Sequence, residues 1–188
     1  MCMHLMKRSA ISAAIVAVAM AAGTAQAGPA TVSLDVAGIE SFDGFGSPLN
    51  ERRFIDILPN VHIVGLSWAV NLTTYGFSWL SEMSVDLNDG GLAGVSLSPG
   101  FGDDRSGTGT YSGSADLVAL NAAFSLGASG RLFFDFFETF VDNGGAGDGR
   151  WNSGTLSVSF IPEPASFGLA ALALLGLGAS SRRRQTQA

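Results

Sequence analysis

The sequence predicts an all-β domain between residues 28 and 160, a β-sandwich or jelly roll of about eight strands. Several segments alternate polar and apolar residues, which is the period of a strand with one buried face. Clusters of Gly, Asp, Asn and Pro separate these segments, as expected for turns between strands. No sustained apolar pattern with the period of a helix occurs between residues 28 and 161. Many short strands joined by glycine-rich turns are typical of sandwiches and jelly rolls.

The strongest predicted strand spans residues 61–73, with large apolar side chains on one face and small or polar ones on the other. Similar alternation predicts further strands at residues 31–36, 53–58, 83–87, 93–98 and 155–160. Residues 131–141 are aromatic on both faces, which predicts a central strand of a sheet. Glycines and acidic residues at 99–113 predict a long loop, and residues 115–126 allow one helical turn before a strand resumes.

The amino terminus has the three parts of a secretory signal peptide. Lys7 and Arg8 precede an apolar stretch from residue 9 to 22, and Ala25 and Ala27 supply small residues before a cleavage point. We therefore expect residues 1–27 to form a signal helix that signal peptidase removes after Ala27. An uncleaved amino-terminal anchor is the alternative.

The carboxyl terminus predicts a second targeting segment. Pro162 and Pro164, on either side of Glu163, prevent a helix from continuing out of the domain. The uncharged run 165–179 gives roughly 22 Å of helix, short of the ~30 Å hydrocarbon core. Extended to residue 181, and with snorkelling arginines, this hydrophobic helix can cross a thin membrane.

Arg182, Arg183 and Arg184 then remain on the cytoplasmic side, and residues 185–188 form a disordered tail. An anchor that is never cut and a buried core helix are the alternatives for this segment.

A Pro-Glu-Pro signal, a short hydrophobic helix and a basic cluster in this order resemble the PEP-CTERM sorting signal of Gram-negative bacteria. The resemblance covers residues 161–184 and implies transient membrane anchoring, cleavage near the Pro-Glu-Pro by an exosortase, and transfer to the cell envelope or the outside. It also implies a setting in exopolysaccharide and biofilm assembly. Separately, the strand 132–137, Asp142 and the segment 154–160 resemble the carboxyl-terminal hairpin of P-type jelly-roll domains.

Composition excludes several classes of function for residues 28–161. Five arginines, no lysine and fifteen acidic residues give this part a net charge of −10, so we expect no nucleic-acid partner. The single cysteine, Cys2, lies within the signal peptide, which excludes a disulfide framework and a cysteine metal site. His62 is the only histidine left, too few for catalytic zinc.

Acidic residues in glycine-rich loops favour calcium over other metals. Asp103 and Asp104 lie in one such loop, and Asp142 and Asp148 lie in another. Carboxylate and carbonyl oxygens are the ligands that Ca²⁺ prefers, so we expect a structural calcium ion here, with solvated turn residues as the alternative. No cofactor is required by this interpretation.

Aromatic residues beside turns predict a sugar-stacking surface. Trp79 and Trp151 hold such positions, whereas Trp68 falls on the apolar face of its strand. The primary hypothesis is a non-catalytic, exported protein of the envelope or extracellular matrix associated with exopolysaccharide. A carbohydrate-binding module at the cell surface is the alternative, and a secreted hydrolase with a carboxylate pair is the third hypothesis.

Overall fold

A computed structural model describes residues 28–142 and 146–162, which form ten strands. The predicted signal peptide, hydrophobic helix and tail lie outside these described residues. In chain order the strands are β1 Ala30–Asp35, β2 Ile39–Ser41, β3 Arg52–Asp56, β4 His62–Thr74, β5 Met83–Asn88, β6 Gly94–Leu97, β7 Thr108–Asp116, β8 Phe124–Ser125, β9 Arg131–Glu138 and β10 Gly149–Ile161.

The strands form two antiparallel sheets. Sheet A has the order β1-β10-β4-β7, with short β2 beside β10 and short β8 beside β4. Sheet B has the order β3-β9-β5-β6. Without β2 and β8, eight strands remain, and their order in the two sheets is that of a jelly roll. The all-β prediction is therefore confirmed for the described residues, as is the central position of β9 between β3 and β5.

The core lies between the inner faces of the two sheets, as strand alternation requires. Sheet B contributes Leu132, Phe134 and Phe136 of β9, all fully buried. The inner face of sheet A is also apolar, with buried Leu72 on β4 and Leu156 on β10 among its members. These residue types bury a large apolar area, which is the main favourable term in folding.

Strand β7 corrects the sequence prediction, because residues 108–113 belong to it rather than to a loop. Two glycines on its inner face make room for aromatic rings. A Cβ at Gly113 would stand 2.5 Å from Cζ2 of Trp68, and a Cβ at Gly109 would overlap the ring of Tyr111. Glycine disfavours strands intrinsically, so packing against these rings overrides the local preference.

The segment after β7 makes a single turn and no helix. The carboxylate of Asp116 accepts the N–H groups of Val118 and Ala119, and the Leu120 N–H donates to the Asp116 carbonyl at 3.1 Å. In the described part of the chain, no helix is long and apolar enough to cross a membrane.

Four connections meet at one end of the sandwich, which we call the loop end: β2–β3, β4–β5, β6–β7 and β9–β10. Backbone hydrogen bonds join them, including Leu80 N–H to the Arg105 carbonyl and Tyr75 N–H to the Asp148 carbonyl. Strand β10 starts at this end, where Gly149 pairs with Thr74, and finishes at the other, where Ile161 pairs with His62. Pro162 therefore lies at the end opposite the four loops.

Candidate functional site

The loop end exposes a group of aromatic side chains. Phe77 and Trp79 lie in the β4–β5 loop, and Phe101 lies in the neighbouring β6–β7 loop. Phe77 and Phe101 are 84% and 89% exposed, far more than core packing would leave. Phe140 of the β9–β10 loop and Tyr75 after β4 are also exposed. Exposed aromatic clusters on a folded domain mark contact surfaces for partners or ligands.

Trp79 occupies the exposed position that the sequence allows, at 45% exposure. A turn holds it in place, because the Glu82 carboxylate accepts the Trp79 backbone N–H at 2.7 Å and the Ser78 hydroxyl at 3.2 Å. The prediction that Trp151 stacks on a ligand is wrong. Trp151 is 0% exposed, on the inner face of β10, and its ring packs edge-on against Phe136 at 5.0 Å.

A buried carboxyl group lies where β9 reaches the loop end. Glu138 is 1% exposed, and neither of its carboxyl oxygens has a hydrogen-bond partner among the described residues. The pKa of Glu138 is raised to about 8, first by burial and then by the negative charges of Asp148, Glu82 and Asp142. The Ser41 hydroxyl opposes this rise, although its position does not meet hydrogen-bond geometry. Glu138 is therefore an acid held neutral inside the sandwich.

Asp103 belongs to a hydrogen-bonded group in the β6–β7 loop. Arg105 Nε donates to one carboxylate oxygen at 2.7 Å, and the Tyr111 hydroxyl donates to the other at 2.6 Å. The hydrogen bond from Arg105, followed by that from Tyr111, lowers the pKa of Asp103. Burial and the bond to Asp103 raise the pKa of Tyr111 to about 12. Asp104 instead accepts the Ser81 hydroxyl at 2.8 Å and so ties two loops together.

Asp142 and Asp148 are brought together, because the Asp142 N–H donates to Asp148 Oδ2 at 3.1 Å. Asp148 is fully buried and Asp142 is exposed. Within residues 28–142 and 146–162, no three His, Cys, Asp or Glu side chains group closely enough to hold a metal ion. Asp103 already serves Arg105 and Tyr111, which leaves it a weak ligand for calcium.

The outer face of sheet B holds a polar cleft that the sequence did not predict. Arg52 makes two parallel hydrogen bonds to the Asp135 carboxylate, one of them 2.7 Å from Nη2 to Oδ2. Asn88 Nδ2 donates to the same Oδ2 at 2.8 Å and to Asp86. Beside this network, the exposed ring of Phe45 packs edge-on against Phe137 at 5.3 Å. Aromatic and planar polar side chains therefore lie side by side on the outer face of sheet B.

Among the described residues, the one histidine and three of the glutamates are either buried or bonded to other groups. His62 Nδ1 lies 2.9 Å from the Ser125 hydroxyl at the far end of sheet A, on exposed strand residues. Glu138 is buried, Glu82 is engaged by a turn, and Glu51 forms an ion pair with Arg53.

The carboxyl-terminal prediction is confirmed by comparison with known proteins: residues 160–184 match the PEP-CTERM protein-sorting motif. This motif implies an exported, envelope-associated protein that is sorted through an exosortase. Of the motif, Pro162 is described, whereas Glu163, Pro164 and Arg182–Arg184 lie outside the described residues, as do Ala25 and Ala27 at the other terminus.

No curated protein matches the chain. Among solved structures, the chain is similar to the VP2 subviral particle of infectious bursal disease virus, with 14% identity and a TM-score of 0.34. The match covers 71% of this chain and 33% of the viral one, so the chain spans about a third of that protein.

Proposed function

We propose that this chain is a non-catalytic, exported protein of the cell envelope or extracellular matrix, associated with exopolysaccharide in biofilm. The sorting motif supports export, and its position in the fold supports display. The matched residues begin at Phe160 near the end of β10, and this strand leaves the sandwich at the end opposite the aromatic loops. With 13 residues, β10 separates the two ends by roughly 40 Å. The point at which the described chain ends and the loop end therefore lie at opposite ends of the sandwich.

The test is the intact mass of the protein recovered from its own host's envelope and medium. We expect a species that begins at Gly28 and ends near Pro162–Pro164, because signal peptidase and exosortase each remove one terminus. A species that retains Arg182–Arg184 in every fraction would contradict sorting and would leave a plain membrane-anchored domain. Deletion of residues 165–184 should abolish envelope association and provides the matched control.

A carbohydrate-binding module is the second candidate, and the exposure of Trp79 supports it. Its ring, like the exposed rings of Phe77 in the same loop and Phe101 in the linked loop, offers an apolar face on which sugars stack. Alanine at Trp79 should then reduce retention of the protein by its host's exopolysaccharide while leaving its mass and secretion unchanged.

A structural calcium ion at Asp103–Asp104 or Asp142–Asp148 remains part of the proposal. Melting curves in calcium and in EDTA test it, with Asp148→Ala and Asp103→Ala as variants. Equal melting temperatures in the two buffers would end the calcium hypothesis.

A further inference from the structure

The cleft on the outer face of sheet B has the size and preorganisation of a small binding site. Its volume is about 300 Å³, and it is lined by residues of the β2–β3 loop that include Phe45 and Asn50, by Arg52 and by Asp135. This volume is near the lower limit of small-molecule sites, which suits one sugar ring better than an extended ligand. Phe45 remains 61% exposed beside it.

The loop that forms the cleft is fixed by its own hydrogen bonds. Asn50 Oδ1 accepts the Asp43 N–H at 2.9 Å, while Asn50 Nδ2 donates to the carbonyls of Asp43 and Gly44. The Ser47 hydroxyl donates to Asp43 Oδ2 at 3.0 Å. These bonds hold the loop in the conformation that forms the cleft, so little loop ordering is left to oppose binding.

Arg52 retains hydrogen-bonding capacity toward a ligand. Its guanidinium has five N–H bonds and spends two on Asp135, which leaves three donors on a side chain that is 56% exposed. The group also lies over the Phe133 ring, 5.1 Å from its centre, which restricts its position. A positioned fork of donors suits adjacent hydroxyl groups.

The charge around the cleft favours an uncharged ligand. Asp135 neutralises Arg52, and Asp86 adds a further negative charge close to the guanidinium. The domain as a whole carries −10 between residues 28 and 161. A carboxylate or sulfate on a sugar would therefore meet repulsion rather than an unpaired cation.

We propose that this cleft binds one hexose residue of a neutral polysaccharide, with an apolar sugar face on Phe45 and hydroxyl groups on Arg52. The inference rests on the proposed exopolysaccharide setting and names the ligand class. It differs from the Trp79 candidate because the two sites share no side chain.

The test is native gel electrophoresis of the exported protein through gels that contain one polysaccharide each. Neutral probes are dextran, laminarin and galactomannan, and anionic probes are alginate and hyaluronate. We expect retardation by at least one neutral polysaccharide and by neither anionic one. Phe45→Ala and Arg52→Ala should each weaken retention about tenfold, the loss of roughly one good contact. Leu92→Ala, at a fully exposed apolar side chain between β5 and β6, is the matched control and should leave retention unchanged. Phe77→Ala reports instead on the separate surface at the loop end.

Arg52→Lys separates geometry from charge, since it keeps the cation and loses the planar fork. It should lose retention as Arg52→Ala does, while unfolding curves confirm that all variants remain folded. Failure of every neutral probe, retention by the anionic probes alone, or loss in Phe77→Ala with Phe45→Ala unaffected would each overturn the proposal. The intact-mass result is independent, so failure here leaves the sorting proposal standing.

Discussion

The two sheets share one core but differ in where they place charge. In sheet A, neighbouring strands are joined on the outer face by hydroxyl pairs such as Ser33–Ser157 at 2.8 Å and Thr73–Thr108 at 2.7 Å. Sheet B carries the ion pairs Arg52–Asp135 and Arg131–Asp56 between β3 and β9. Among the described residues, no ion pair joins two strands of sheet A. The strands of sheet A are therefore linked on the outer face by uncharged hydroxyl pairs, whereas β3 and β9 of sheet B are linked by charged pairs.

The largest effect expected from this difference is a pH dependence that arises from Glu138 of sheet B. Its pKa is about 8 in the folded protein, above the value near 4.5 expected when it is unfolded. Below pH 4.5 the carboxyl is neutral in both states and the stability is fully present. As pH rises toward 8, only the unfolded chain releases the proton, so the free energy of unfolding falls by up to about 1.4 kcal/mol per pH unit.

Chemical denaturation at pH 5, 6.5 and 8 measures this loss, which should reach several kcal/mol by pH 8. Glu138→Gln is the matched control because it is neutral at every pH and similar in shape. The denaturant concentration at the unfolding midpoint of this variant should be nearly the same at all three pH values. At pH 8 the variant should be more stable than the wild type. A wild-type protein with equal stability at pH 5 and 8 would show that Glu138 is not held neutral.

A smaller effect is expected from a volume change in sheet A. Gly113→Val places a Cβ where the Trp68 ring now lies, 2.5 Å from Cζ2, so the ring or the strand must move. We expect a loss of about 1–3 kcal/mol, as for other overpacked positions. Ser112→Val, on the exposed outer face of the same strand, should change stability by less than about 0.5 kcal/mol. Equal losses in the two variants would contradict the assignment of inner and outer faces.

The smallest effect is expected from the exposed hydroxyl pairs of sheet A. Ser33→Ala removes the bond to Ser157 but leaves both positions accessible to water, so the change should stay within about 0.5 kcal/mol. Asp135→Ala in sheet B removes the carboxylate acceptor of Arg52 and one of the two acceptors of Asn88, and should cost about 2 kcal/mol. If urea unfolding gave similar losses of unfolding free energy for Ser33→Ala and Asp135→Ala, the proposed difference between the two sheets would be wrong.

Alternation along the chain was sufficient to predict most strands, because one-sided burial leaves a period of two. The pattern failed at β7, where Gly109 and Gly113 predicted a loop. In the structure each glycine lies in the strand, because an aromatic ring occupies the space that a Cβ would take. The pattern also placed Trp151 beside a turn, although β10 begins at Gly149 and directs that ring into the core.

The cleft could not be predicted from the chain alone, because it depends on pairing between distant segments. Arg52 and Asp135 are 83 residues apart and meet only through the register of β3 on β9. In isolation each is an ordinary charged residue of a strand. The sorting motif differs in kind, since its three parts are contiguous and are recognised without any fold.

The end of β10 has a consequence for processing of the precursor. Ile161 is the last residue in register with β4, opposite His62, and Pro162 has no N–H to donate to the sheet. Cutting the chain beyond Pro162 therefore breaks no bond of the ladder. The tethered precursor and the released product should share one fold and one melting temperature, so the same sandwich can act before and after the protease has detached it.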